Sequence, residues 1–133
     1  MRVVIDTNVL VSGVMNPHGS PGRVIDSVIS RTVTVLYDDR ILIEYREVLL
    51  RPFFGFQAND VNALVDFIAF SGEQITAGPA DVVLPDTTDL PFLEVAIAGA
   101  AHALITGNLK HFKPVRGRHS IQILSPSDFL RFI

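Results

Sequence analysis

The sequence contains no cysteine. A disulfide framework, a thiolate zinc site and a cysteine nucleophile are therefore excluded. No uninterrupted apolar stretch approaches the roughly 20 residues needed to span a bilayer. The opening Met1-Arg2-Val3-Val4-Ile5-Asp6 is an apolar run of a few residues, too short for the h-region of a signal peptide. The expectation is a soluble, cytoplasmic protein with no membrane segment. His18, His102, His111 and His119 form no His-Glu-x-x-His motif and no close pair, which disfavours zinc hydrolysis. There is no Gly-x-x-x-x-Gly-Lys loop either, so a P-loop nucleotidase is excluded. Repeats, linkers and low-complexity tracts are missing as well.

Positive charge is absent from a long internal stretch. Between Pro52 and Leu109 there is no Lys or Arg, although Asp60, Asp66, Glu73, Asp81, Asp86, Asp89 and Glu94 all fall there. Lys110, Lys113, Arg116 and Arg118 follow at once, with His111 among them, His119 next after them and no carboxylate. Either run alone reads as solvated surface; together they suit a site that holds cations and an anionic substrate. The whole chain, with 11 basic and 14 acidic side chains and a net charge of −3, does not advertise a nucleic-acid binder.

What is present is enough for one cored domain over residues 1–133, since 48% of the residues are hydrophobic and only 19% charged. Val3 to Ile5, Val33 to Tyr37, Ala103 to Thr106 and Ile121 to Leu124 are short apolar runs rich in β-branched residues, the pattern of strands buried on both faces. Helical patterns lie between them. One has Ser20 as candidate N-cap, Pro21 in its first turn and Val24, Ile25 and Val28 inside. A second is capped by Asp38 and carries Ile41, Tyr45, Val48 and Leu49. A third follows Asn59 with a Val61, Leu64, Val65, Ile68 stripe and stops at Gly72. A fourth opens at Asp89, with Pro91 in its first turn, and a last one opens at Ser125. Apolar strands alternating with helices predict an α/β three-layer sandwich with a mostly parallel sheet of about four or five strands. In such sheets ligands gather beyond the carboxyl ends of the strands.

Polar residues at those ends therefore carry most weight. Asp6 follows the first strand, flanked by Thr7 and Asn8; a strand-ending Asx turn or a helix cap is the structural alternative. Glu44 lies on the same helical face as Ile41 and Val48, where an acid needs an ion partner, Arg40 or Arg51 being nearest in sequence, or a bound cation. Asp89 suits an N-cap and a cation ligand equally, because one carboxylate has two oxygens. Asp86 reads as loop surface, and Glu94 as pointing away from whatever Asp89 faces. Thr106-Gly107-Asn108 ends the third apolar run with an amide that can serve a hard cation or its water.

This order of residues resembles the PIN-domain nucleases. The resemblance spans nearly the whole chain: Ile5-Asp6-Thr7-Asn8, Glu44 within Leu42 to Leu49, Asp89-Leu90-Pro91-Phe92-Leu93, and Leu104-Ile105-Thr106-Gly107-Asn108. The length and the Arg51-Pro52-Phe53 segment are similar to the branch described as toxins of prokaryotic toxin-antitoxin pairs. The resemblance implies a PIN-like fold and a Mg²⁺- or Mn²⁺-dependent endoribonuclease leaving a 5′-phosphate and a 3′-hydroxyl. Asp6, Glu44 and Asp89 would be metal ligands and, with Asn108, the catalytic set. Thr7, Asn8 and Thr106 would support them, and Lys110, Lys113, Arg116 and Arg118 would contact RNA. A small antitoxin protein and a homodimer are the implied partners. Asn108 departs from the aspartate of many members and lowers the charge of the site, which motivates the alternative of a catalytically weak module that binds RNA or an antitoxin. A haloacid-dehalogenase-type phosphatase fits poorly, because Asp6-Thr7-Asn8 lacks the second acid of its Asp-x-Asp.

Overall fold

Val3, Val4 and Ile5 have no solvent-accessible surface, which only a central strand covered on both faces allows. They belong to β1 (Arg2–Ile5) in a computed structural model that describes residues 1–133. The chain continues through α1 (Thr7–Met15), α2 (Ser20–Ile29), β2 (Thr34–Tyr37), α3 (Asp39–Leu49), α4 (Ala58–Ser71), β3 (Glu73–Gln74), α5 (Leu90–Ala98), β4 (Ala103–Ile105), β5 (Gln122–Leu124) and α6 (Pro126–Leu130). Short 3-10 turns cover Pro52–Phe54, Thr87–Asp89 and Leu109–Val115. All strand pairs are parallel, in the order β3-β2-β1-β4-β5. The three-layer α/β expectation holds, with five strands.

The strand order sets the site. After β1 the chain moves to one side, building β2 and β3; after β4 it moves to the other, building β5. The crevice beyond β1 and β4 is thus a topological switch point, where loops diverge and leave room for a ligand. Its two walls are in register, since Val3, Val4 and Ile5 pair with Ala103, Leu104 and Ile105, and the Asp6 amide extends the ladder to the Ile105 carbonyl at 2.9 Å. α5 lies across β1, β2 and β4 and is buried almost all round from Phe92 to Ala96.

Several local expectations are corrected. α1 directly follows Asp6, where no helix is expected from the sequence, and Gly13 lets it cross α2 closely: a Cβ there would lie 2.5 Å from Ile25 Cδ1. β3 joins the sheet by backbone pairing to Leu36 and Tyr37 while both its side chains stay exposed, so no apolar run marks it. Ser20 is the first residue of α2 rather than its cap, Gly19 taking that place, and α4 begins one residue before Asn59, with Gln57 at the N-cap position. Asp38 and Ser125 do cap, accepting from the Ile41 and Asp128 amides at 3.1 Å each. No helix is long and apolar enough to cross a membrane.

Candidate active site

Buried polar side chains gather at the carboxyl ends of the central strands: Asp6 at 5% exposure, Thr7 at 5%, Thr106 at 0% and Asp89 at 7%. Asp6 stands at the N-cap position of α1, yet its side chain caps nothing. Its Oδ2 instead accepts from Thr106 Oγ1 at 2.8 Å and from Asn8 Nδ2 at 3.4 Å. Thr106 Oγ1 in turn accepts from the Asn108 amide at 3.0 Å, and Asn8 Oδ1 accepts from the Gly107 amide at 3.1 Å. The segments leaving β1 and β4 are thus clipped together by side chains. Glu44 joins from α3, where its Oε2 accepts from Thr7 Oγ1. The neighbouring Tyr45, fully buried, donates from its hydroxyl to the Ile5 carbonyl at 2.5 Å and fixes α3 above the end of β1.

The electrostatics are those of crowded acids. Burial raises the Asp6 carboxyl to about 6, the Asp89 and Glu44 charges push in the same direction, and the Thr106 hydrogen bond opposes them. Asp89 is also raised, by burial first and by Asp86 next, with His111 opposing. No Lys or Arg pairs with Asp6, Glu44 or Asp89; the sole basic partner is His111, whose Nδ1 lies 3.0 Å from Asp89 Oδ2. Oxygen-rich carboxylate clusters without internal counter-charge are what hard divalent cations take. Ligating atoms of Asp86, Asp89 and His111 also lie within 4.8 Å of one another.

The PIN domain family profile matches residues 2–110, more than half of the chain. The chain belongs to the PIN domain family. An uncharacterised protein of Methanocaldococcus jannaschii is 31% identical over 111 residues, covering 81% of this chain and 71% of that protein. A solved chain described as the crystal structure of VapBC2 from Rickettsia felis bound to a DNA fragment from their promoter superposes with a TM-score of 0.59 over 94% of this chain and 98% of that one. At 18% identity that likeness is one of fold.

Within this PIN domain, Thr7, Asn8 and Thr106 bond to Glu44 and Asp6, and Asp89 lies near enough for its charge to raise Asp6. Asn108 is exposed and enters the network through its backbone alone. It shares a cleft with Gly107, Leu109, Lys110 and His111. Lys113, Arg116 and Arg118 are exposed, and the last two lead into the start of β5, the end of the strand remote from the crevice. Arg40 does not reach Glu44. It pairs with Asp38 and with Glu94, and Glu94, at 8% exposure, also accepts from the Ala80 amide at 2.8 Å. Asp86 is not idle loop surface, since its Oδ1 accepts from both the amide and the hydroxyl of Thr88. Two partners carry no local signal: His111, 22 residues from Asp89, and Glu94, 54 residues from Arg40.

Proposed function

We propose that this PIN domain is a Mg²⁺- or Mn²⁺-dependent endoribonuclease and the toxin of a toxin-antitoxin pair. The observation that carries the reading is the nearness of Asp6, Glu44 and Asp89 with no Lys or Arg among them, where burial first and the Asp89 and Glu44 charges after it raise Asp6 to about 6. All their donors are oxygens, which fits a hard cation bound also by water and substrate phosphate. When bound, the cation supplies a nucleophilic water at neutral pH and offsets charge developing on the phosphate. The protein groups do the holding. Thr106 and Asn8 orient Asp6, Thr7 orients Glu44, and each hydroxyl fixes one carboxylate oxygen so that the other can face the cation. Asn108 adds a neutral amide at the mouth, and Lys110 and Lys113 supply positive charge for the RNA backbone, whereas Arg116 and Arg118, at the far end of β5, stand away from it. The likeness to VapBC2 supports an antitoxin partner, one whose arginine could enter the acidic crevice and take the cation's place. A homodimer working in the cytoplasm completes the reading.

The deciding experiment incubates pure protein with structured and single-stranded RNAs in Mn²⁺, Mg²⁺ or EDTA. Cleavage in either metal and none in EDTA is expected. Persistence in EDTA would refute the metal requirement, while RNA binding without cleavage of any substrate would favour the binding module that Asn108 suggests. Replacing Lys110 and Lys113 by Ala should weaken RNA binding evenly across sequences and reduce the log-log salt slope by on the order of one unit per lost contact. Titration at several salt concentrations checks this, and an unchanged slope would return these lysines to ordinary surface.

A further inference from the structure

Asp89 ends the 3-10 turn Thr87–Asp89 and runs into α5 in helical backbone conformation (φ −81°, ψ −14°), so its side chain is not engaged in capping. Asp86 serves the preceding 3-10 turn instead, with Thr88 N at 2.9 Å and Thr88 Oγ1 at 2.7 Å. The Asp89 carboxylate is therefore released from the helix and turned to His111, whose Nδ1 lies 3.0 Å from Oδ2. An ionised carboxylate only accepts, so Nδ1 carries the proton and donates. The imidazole is not a loose surface group. It stands on the 3-10 segment Leu109–Val115, anchored by the buried Phe112 and Val115 and by the His111 amide bonded to the Asn108 carbonyl at 3.0 Å.

We propose that His111 is the positioning residue of Asp89, locking one carboxylate oxygen so that the other is presented to the cation. This rests on the reading of the crevice as a cation site. It gives Asp89 what Thr106 gives Asp6 and Thr7 gives Glu44: a donor that fixes one carboxylate oxygen. A lysine in that place would pair with Asp89 as a full charge and compete with the metal.

The test compares wild type, His111→Ala and His111→Asn, the last because the Asn amide can donate from about where Nδ1 does. Calorimetric titration with Mn²⁺ should show affinity falling 10- to 100-fold in His111→Ala and returning to within about threefold of wild type in His111→Asn. Unfolding midpoints in EDTA should stay together. A His111→Ala affinity within twofold of wild type, or His111→Asn as weak as His111→Ala, overturns the proposal. In the metal-free protein, nitrogen-15 NMR should report the Nδ1–H tautomer of His111, lost on Asp89→Ala. Absence of that tautomer in wild type overturns the contact itself, whereas its presence in a chain that binds no Mn²⁺ overturns the cation reading beneath it.

Discussion

Asp6→Asn is expected to abolish RNA cleavage and, in EDTA at pH 7.5, to make the protein more stable than wild type. Loss of a metal ligand should exceed the 10- to 100-fold typical of supporting residues, so a fall of more than about 100-fold is expected. The stability gain follows from the raised carboxyl. Its value of about 6 in the fold against 3.8 in the unfolded chain means that the ionised form opposes folding. That penalty, about 2–3 kcal/mol for a shift of this size, is complete above pH 6, fades as pH falls through 6 and vanishes below the unfolded value. Wild type in EDTA should therefore gain stability between pH 7.5 and pH 5, and the gap to Asp6→Asn should close below about pH 4. Saturating Mn²⁺ should invert the order, because only wild type gains from binding. Urea unfolding at these pH values, with and without metal, is the measurement. A variant less stable than wild type in EDTA at pH 7.5 would show that the Thr106 contact outweighs the crowding.

Arg40→Ala is expected to be the most damaging single change outside the core and the crevice. Glu94 is buried with only the Ala80 amide and the Arg40 guanidinium as partners, so removing Arg40 strands a charge inside the protein. Breaking a fully buried pair costs 3–5 kcal/mol; with the Arg40 side chain 47% exposed, about 2–3 kcal/mol is the appropriate figure. That corresponds to a fall in melting temperature on the order of 10 °C. Because Arg40 also holds the α3 cap residue Asp38, and Glu44 stands one turn further along α3, activity should fall with stability. Adding Glu94→Gln should restore much of the loss, since the amide oxygen still accepts from Ala80 without a stranded charge. Additive effects of the two changes would refute the pairing.

How legible these features are depends on where their partners lie. β1 and β4 are plain in the sequence because a strand buried on both faces must be continuously apolar, and Val3 to Ile5 and Ala103 to Ile105 are. α1 is hidden because two of the four residues on its buried face, Thr7 and Gly13, are not apolar side chains, which breaks the stripe that Val9 and Leu10 would mark. β3 is hidden because it joins the sheet through its main chain, with both its side chains exposed and neither of them apolar. Asp6 is read correctly as a polar residue at a strand end, but the choice between cap and site required Thr106, 100 residues away. Glu44 is placed on the right face by its spacing, and the wrong partners, Arg40 and Arg51, come from favouring neighbours in sequence over Thr7. Asp89 shows the strongest conflict: the cap it suits by residue type falls three residues earlier, on Asp86, and its own carboxylate faces a histidine on another segment.

The pairing of β1 with β4 also governs timing. Asp6 is made early, but its backbone partner Ile105 and side-chain partner Thr106 are synthesised about 100 residues later, which at typical translation rates is roughly 5–20 s. A nascent chain that has completed β1, and even α3 with Glu44, still has no wall opposite Asp6. The crevice closes only when the last third of the chain emerges, so an unfinished copy lacks its second wall.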